Sequence, residues 1–359
     1  MESSLQKTIK KEITEFDWGQ EESEIEEYPH YMIKEIKEEP KVTKRLLMSL
    51  QTEQKKQFEK LVEFIKNSRK VTFVAAGSSY HASLLGVYYF HRCKIEAQAI
   101  IASEFEHFIT ADEKTLVLAI SQSGETMDVI DALKHAKEKG AKIASIVNVP
   151  YSTIQRMSDI SLNILAGQEV CVAATKSFVN QVTMLLALAK QFGFEIDLND
   201  LPEKIESVFE LEEKIKQIAK KIHREKDIYI IGRGLSYPVA REIALKIKEI
   251  SYIHAEGMMG GELKHGTIAL IEKGTPVISL ISNSDQTMLA NTKEVEARGA
   301  RVITIADEMD ADIKLQTQND GKFGILATIV GQLLTYYIAL EKGLPIDKPR
   351  NLAKSVTVK

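Results

Sequence analysis

Ser121-Gln122-Ser123-Gly124-Glu125-Thr126 is the stretch on which the fold turns. Behind it stands Thr115-Leu116-Val117-Leu118-Ala119-Ile120, a short apolar run of the kind buried in a parallel sheet. Ahead of it, Met127-Asp128-Val129-Ile130-Asp131-Ala132-Leu133 has helical spacing. A hydroxyl-rich loop therefore closes a strand and opens a helix. Such a loop suits a phosphate: free amides and the positive end of the helix dipole face outward, Gly124 lets the backbone approach, and Ser121, Ser123 and Thr126 add donors. An ordinary helix cap uses the same residue types, but the density of donors exceeds what a cap needs.

The rhythm extends outward in both directions. A helix is expected from Gln54 to Ser68, with Phe58, Leu61, Val62 and Ile65 on one face. Val71 to Ala76 reads as a buried strand, Gly77-Ser78-Ser79-Tyr80-His81 as its exit loop, and the following residues to Arg92 as a helix. Lys142 to Asn148 supplies another strand, so the pattern is that of a doubly wound parallel α/β sheet. It restarts near Lys226: Ile228 to Ile231 leads into Gly232-Arg233-Gly234-Leu235-Ser236-Tyr237, and Ser282-Asn283-Ser284-Asp285-Gln286-Thr287-Met288 repeats S-x-S-x-x-T-M at an offset of about 160 residues. We read a duplicated domain: a lead-in over 1–45, a first copy over 46–200, a second over 201–343 and a tail over 344–359. Asn199-Asp200-Leu201-Pro202 is the expected linker, followed by one long charged helix from Glu203 to Arg224 with Ile205, Val208, Leu211, Ile215 and Ile218 as its stripe. Asp285 replaces Gly124 in the second copy. A carboxylate there repels phosphate, so the first copy alone is expected to bind the anion.

Bulk composition narrows the function. The 359 residues carry 47 basic and 51 acidic side chains, a net charge of -4 that gives no electrostatic case for nucleic acid. Cys93 and Cys171 lack metal-like spacing and fit a reduced, cytoplasmic compartment. No apolar run is read as the ~20 residues of a membrane span, and the polar start is no secretory signal.

Chemistry is expected in the second copy. On the helix from Tyr237 to Ile250, Lys246 and Glu249 lie three apart and share a face. His254 to Gly266 reads as a glycine-broken loop rich in titratable groups. His254, Glu256, Glu262 and His265 could ligate a metal, though their spacing matches no strong template; acid–base work on a sugar phosphate is the better reading, with no cofactor. The tail, with Pro345 and Pro349, has no helical period. It is either disordered or folds over a site carrying Lys354, which could then attack a carbonyl.

Ser121 to Thr126, Lys248 to Glu256, Gly261 to Gly266 and Asp347 to Val358, with Phe16-Asp17-Trp18 and His30-Tyr31-Met32 in the lead-in, resemble the isomerase half of glutamine–fructose-6-phosphate aminotransferases, a pair of sugar-isomerase (SIS) domains. The resemblance implies two tandem three-layer αβα domains. It implies that Ser78, Ser79, Ser121, Gln122, Ser123 and Thr126 hold the phosphate of fructose 6-phosphate, with Val172 and Ala353 lining the sugar. Lys354 would form a Schiff base at C2, Glu249 would move a proton between C1 and C2, and Lys246 would assist it. His265, donated by a neighbouring subunit, would open the ring, making the active form at least a dimer.

This chain has Ser78 where the family has threonine and Ala174 where it has serine, and its Gly257-Met258-Met259-Gly260 is unusual for the family. Full-length members also carry a glutaminase domain whose terminal cysteine neither Cys93 nor Cys171 can replace. The chain is expected to be either that isomerase domain alone or a free-standing, ammonia-fed version. Net synthesis of glucosamine 6-phosphate, the reverse deamination, and sugar-phosphate sensing without chemistry stay open. A sensor would have no need of Glu249, His265 and Lys354 together.

Overall fold

A computed structural model describes residues 24–108 and 110–357. Phe16-Asp17-Trp18 and the final Val358-Lys359 lie outside the described residues. Two short helices, α1 (Tyr31–Lys37) and α2 (Glu39–Ser49), precede α3 (Lys55–Asn67). The first sheet is then built by β1 (Lys70–Ala75), α4 (Gly77–Arg92), β2 (Ala97–Ile101), β3 (Thr115–Ser121), α5 (Met127–Glu138), β4 (Lys142–Val147), β5 (Ile160–Asn163) and α6 (Lys176–Lys190). After α7 (Leu201–Val208) and α8 (Glu212–Ile222), the second consists of β6 (Asp227–Gly232), α9 (Ser236–Ser251), β7 (His254–Met259), β8 (Pro276–Ile281), α10 (Gln286–Glu296), β9 (Arg301–Ala306) and β10 (Ile313–Lys314), closed by α11 (Asp320–Glu341).

Both sheets are wholly parallel, in the orders β2-β1-β3-β4-β5 and β7-β6-β8-β9-β10. Counting strands within each copy, these are one topology, so the repeat seen in the motifs is a repeat of architecture. In each, the direction of winding reverses between the first and third strands. Loops at that point splay apart and leave a crevice at the strand ends. The loop at 121–126 leaves β3 there. All seven residues of β3 are buried, as a strand covered on both faces requires.

Four helices, α4, α6, α9 and α11, pack between the sheets in one continuous core that includes Leu85, Phe178, Ile243 and Phe323. Each such fully buried side chain contributes about 1.5–3 kcal/mol. Gly331 lets α11 come close to α9; a Cβ there would sit 2.4 Å from Cγ1 of Ile243. The lead-in joins this core through Met32, Ile33 and Ile36.

Four expectations change. Residues 77–81 are the first turn of α4, because Gly77, at φ +57°, turns the chain in a single residue. Pro202 lies in the first turn of α7, where its missing N–H costs nothing, and the long charged helix is broken at Phe209–Leu211 by a 3₁₀ turn. His254–Met259 is an edge strand, with Ala255 and Met258 inward and His254, Glu256 and Met259 exposed. Finally, α11 is long and apolar enough by composition to span a membrane, yet it is almost entirely buried: a helix surrounded by protein is apolar all round.

Candidate active site

The loop after β3 winds around its own hydroxyls. Ser121 Oγ accepts from the Gly124 amide at 3.0 Å, Ser123 Oγ accepts from the Glu125 amide at 3.1 Å, and Thr126 Oγ1 lies 3.4 Å from Ser121 Oγ. Gly124 is at φ +64°, and a Cβ would fall 2.0 Å from Ser152 Oγ, so glycine is required twice over. Thr126, at the N-cap of α5, makes no side-chain capping bond. Ser79, in the first turn of α4, accepts a hydrogen bond from Gln181 of α6 at 3.0 Å.

The tail comes to this loop. Its anchor is Asp347, whose carboxylate accepts from the amides of Tyr31 (3.0 Å) and Met32 (2.9 Å), capping α1, while its carbonyl accepts from the Val172 amide at 3.1 Å. Arg350 stacks on Tyr252, 4.2 Å from the ring centroid, and its amide donates to the Tyr252 hydroxyl. Farther on, Ser355 Oγ donates to Ser123 Oγ at 3.1 Å, and the Val356 carbonyl accepts from the Met127 amide at 3.3 Å. Between these fastenings Lys354 points inward. Its Nζ donates to Glu169 Oε2 at 2.6 Å and to the Cys171 carbonyl, beside Val172, at 2.7 Å. Ala353 stays exposed.

The second copy contributes α9. Lys246 Nζ lies 2.5 Å from Glu249 Oε2 and 3.4 Å from Glu242 Oε1, all on one buried face. Glu242 in turn accepts from or faces His81 Nδ1 of α4 at 2.7 Å, with Ser78 beside it. Burial pulls the Lys246 ammonium down, but Glu249 and Glu242 outweigh it and hold it above the usual lysine range. Glu242 is likewise pushed up by burial, yet Lys246 and His81 bring it below the usual carboxylate range. The field of Glu169 also reaches Lys246, so the tail lysine and the α9 cluster share one electrostatic environment.

The structure thus brings Ser123 against the tail, Lys354 beside the Val172 turn, and Ser78 against the Lys246–Glu249 group through Glu242. His265 is set apart: it ends an exposed 3₁₀ turn, and among the described residues no hydrogen bond or ion pair joins it to the others. His254 pairs with Asp227 at 2.8 Å, and among the described residues no three His, Cys, Asp or Glu side chains gather as metal ligands. Sequence reading missed Glu169, Glu242, His81 and Gln181. Glu242 was within reach, being four residues before Lys246 on the same helix face; Glu169, in an irregular segment, carries no periodic signal.

The SIS domain family model matches residues 64–191 and 221–341. A glutamine–fructose-6-phosphate aminotransferase [isomerizing] from Clostridium acetobutylicum is 41% identical over 98% of this chain, and the chain spans 62% of that relative's length. Among solved structures, the C-terminal domain of glucosamine-fructose-6-phosphate aminotransferase from Francisella tularensis superimposes with a TM-score of 0.83 at 32% identity, covering 90% of this chain and 99% of that one. Glucosamine-6-phosphate deaminase from Thermotoga maritima has a TM-score of 0.75 at 29% identity, covering 91% and 99%.

Proposed function

This chain belongs to the SIS-domain family, with the isomerase part of the glutamine–fructose-6-phosphate aminotransferases among its relatives, and from that premise we propose that it converts fructose 6-phosphate and ammonia to glucosamine 6-phosphate. One observation carries the reading: the tail fastens to the phosphate-type loop through Ser355 and Val356, and in doing so holds Lys354 in the cleft beside Glu169. A sugar phosphate anchored at the loop would have its carbonyl carbon offered to that amine.

In this scheme the amides and hydroxyls of Ser121, Gln122, Ser123 and Thr126, with Ser79 and Ser78, bind the phosphate, and Val172 and Ala353 line the sugar. Lys354 attacks C2 and forms an imine, which makes the C1 proton acidic. Glu249 then carries a proton between C1 and C2, with the Lys246 ammonium 2.5 Å from its Oε2 to hold it in position. His265 opens the ring from a neighbouring subunit of a dimer or larger assembly, which accords with its exposure here. Ammonia comes from a glutaminase domain, in the same chain or in trans, and the reaction runs in the cytoplasm. Likeness to a deaminase supports a second reading, the same chemistry in reverse.

Incubating the protein with fructose 6-phosphate, with and without ammonium, and following products by NMR tests this. Glucose 6-phosphate in both samples and glucosamine 6-phosphate in the second are expected. Ammonia release from glucosamine 6-phosphate with no net amination favours the deaminase, and bound but unreacted sugar overturns both.

A further inference from the structure

The geometry points to Glu169 as the residue that holds Lys354 for imine formation and takes the proton its ammonium must lose. This rests on the reading of Lys354 as the imine-forming lysine, and adds the base that such a lysine requires: an ammonium has no electron pair with which to attack a carbonyl.

Glu169 is fitted for that task by position. It is fully buried, and the start of α6 is wound around it: the amides of Thr175 and Ser177 donate to Oε1 at 3.0 Å each, and Ser177 Oγ donates to Oε2 at 2.7 Å. The carboxylate therefore cannot swing away, and Oε2 faces Lys354 at 2.6 Å. Two of the three ammonium N–H bonds are spent, on Glu169 and on the Cys171 carbonyl, so the third direction is left for a substrate.

The surroundings favour keeping the proton within the Lys354–Glu169 pair. Glu35 of α1 lies behind the same segment, with Oε1 accepting from the amides of Val170 (2.5 Å) and Cys171 (3.1 Å), while its buried Oε2 has no hydrogen-bond partner among the described residues. Burial and the neighbouring Glu169 charge push Glu35 up; burial would raise Glu169 too, but Lys354 and the α6 amides hold it well below the usual range. Lys354 is the cation that offsets Glu169. Were its proton lost to solvent, a buried carboxylate would be left without its cation.

The step balances without an outside reagent. One proton passes from Lys354 Nζ to Glu169 Oε2, and the freed electron pair forms the N–C2 bond as the C2–O π pair moves onto oxygen. That oxygen takes the proton held by Glu169 and a second from nitrogen, and leaves as water as the C2–N double bond forms. The product is a protonated imine facing the regenerated Glu169 carboxylate, so the ion pair persists through the step.

Borohydride trapping with fructose 6-phosphate tests it, reading the reduced adduct on Lys354 by mass spectrometry against pH, with Lys354→Ala as the blank. In Glu169→Gln, trapping should fall about 100-fold or more near neutral pH and then climb with pH, since solvent must now remove the proton, while sugar-phosphate affinity changes little. Should that variant not fold, Glu169→Asp, which draws the carboxylate back by about one C–C bond of roughly 1.5 Å, should slow trapping about tenfold and keep the wild-type pH profile. Trapping in Glu169→Gln with wild-type rate and pH profile, or an unchanged rate in Glu169→Asp, overturns the role of Glu169 alone. Absence of any Lys354 adduct in the wild type overturns the imine reading beneath it.

Discussion

In the first copy of the α/β unit, α5 begins at Met127 and its N-cap residue Thr126 makes no side-chain capping bond; in the second, α10 begins behind Asp285, whose Oδ1 accepts from the amides of Thr287 (2.9 Å) and Met288 (3.1 Å). Arg233, from the loop after β6, then pairs with the other Asp285 oxygen at 3.0 Å. A cavity of about 290 Å³ survives at this second crevice, lined by Arg233, Ser282, Asn283 and Asp285, but its anion-binding groups already hold a carboxylate of the protein's own. Topology makes the crevice in both copies. At the matching position one loop has Gly124 and the other Asp285, and only the second fills its helix N-terminus with a carboxylate of its own, which is why fold alone does not assign function. The second copy supplies α9, whose Glu242 meets His81 of the first copy at 2.7 Å.

Substitutions in the two loops can break that contrast. Ser123→Asp puts a fixed negative charge in the open loop; like charges about 4 Å apart at an effective dielectric near 20 repel by about 4 kcal/mol, so fructose 6-phosphate affinity should drop on the order of 1000-fold by calorimetric titration. Equal affinity would move the phosphate elsewhere. Gly124→Ala is a subtler injury. The new Cβ would meet Ser152 and the backbone must hold φ +64°, so we expect about 1–3 kcal/mol lost in denaturant unfolding and about tenfold weaker binding. Asp285→Ala should have the smallest effect: loss of a cap worth about 1 kcal/mol, seen in the melting temperature, with sugar-phosphate affinity unchanged. A large affinity change in that variant would show that the second crevice takes part in binding.

Several parts of the site were legible because they are local. Thr115 to Ser121 is an unbroken apolar strand, the hydroxyl cluster follows at once, and Lys246 and Glu249 are neighbours by helix geometry alone. Errors arose where local pattern and tertiary role diverge. Residues 254–259 look like a polar loop because only Ala255 and Met258 of this edge strand are buried, and α11 reaches the length and apolarity of a membrane span, which no run was read as having, because protein buries it almost entirely. The tail is the extreme case: it has no period, and it is ordered by Asp347 on α1, Arg350 on Tyr252 and Ser355 on Ser123, contacts 98 to 316 residues distant in the chain.

What the sequence by itself determined is therefore the repeated parallel α/β architecture, the hydroxyl-rich loop between β3 and α5 and the chemical inequivalence of its two copies, since each depends on hydrophobic period, glycine and charge within a few residues. Only the tertiary structure decided that Glu169 faces Lys354, that Glu242 joins His81 across the two copies, and that Asp285 fills the second crevice. Those pairings depend on side chains far apart in the chain, brought within hydrogen-bond reach by packing of the whole core, and no local pattern encodes such distances.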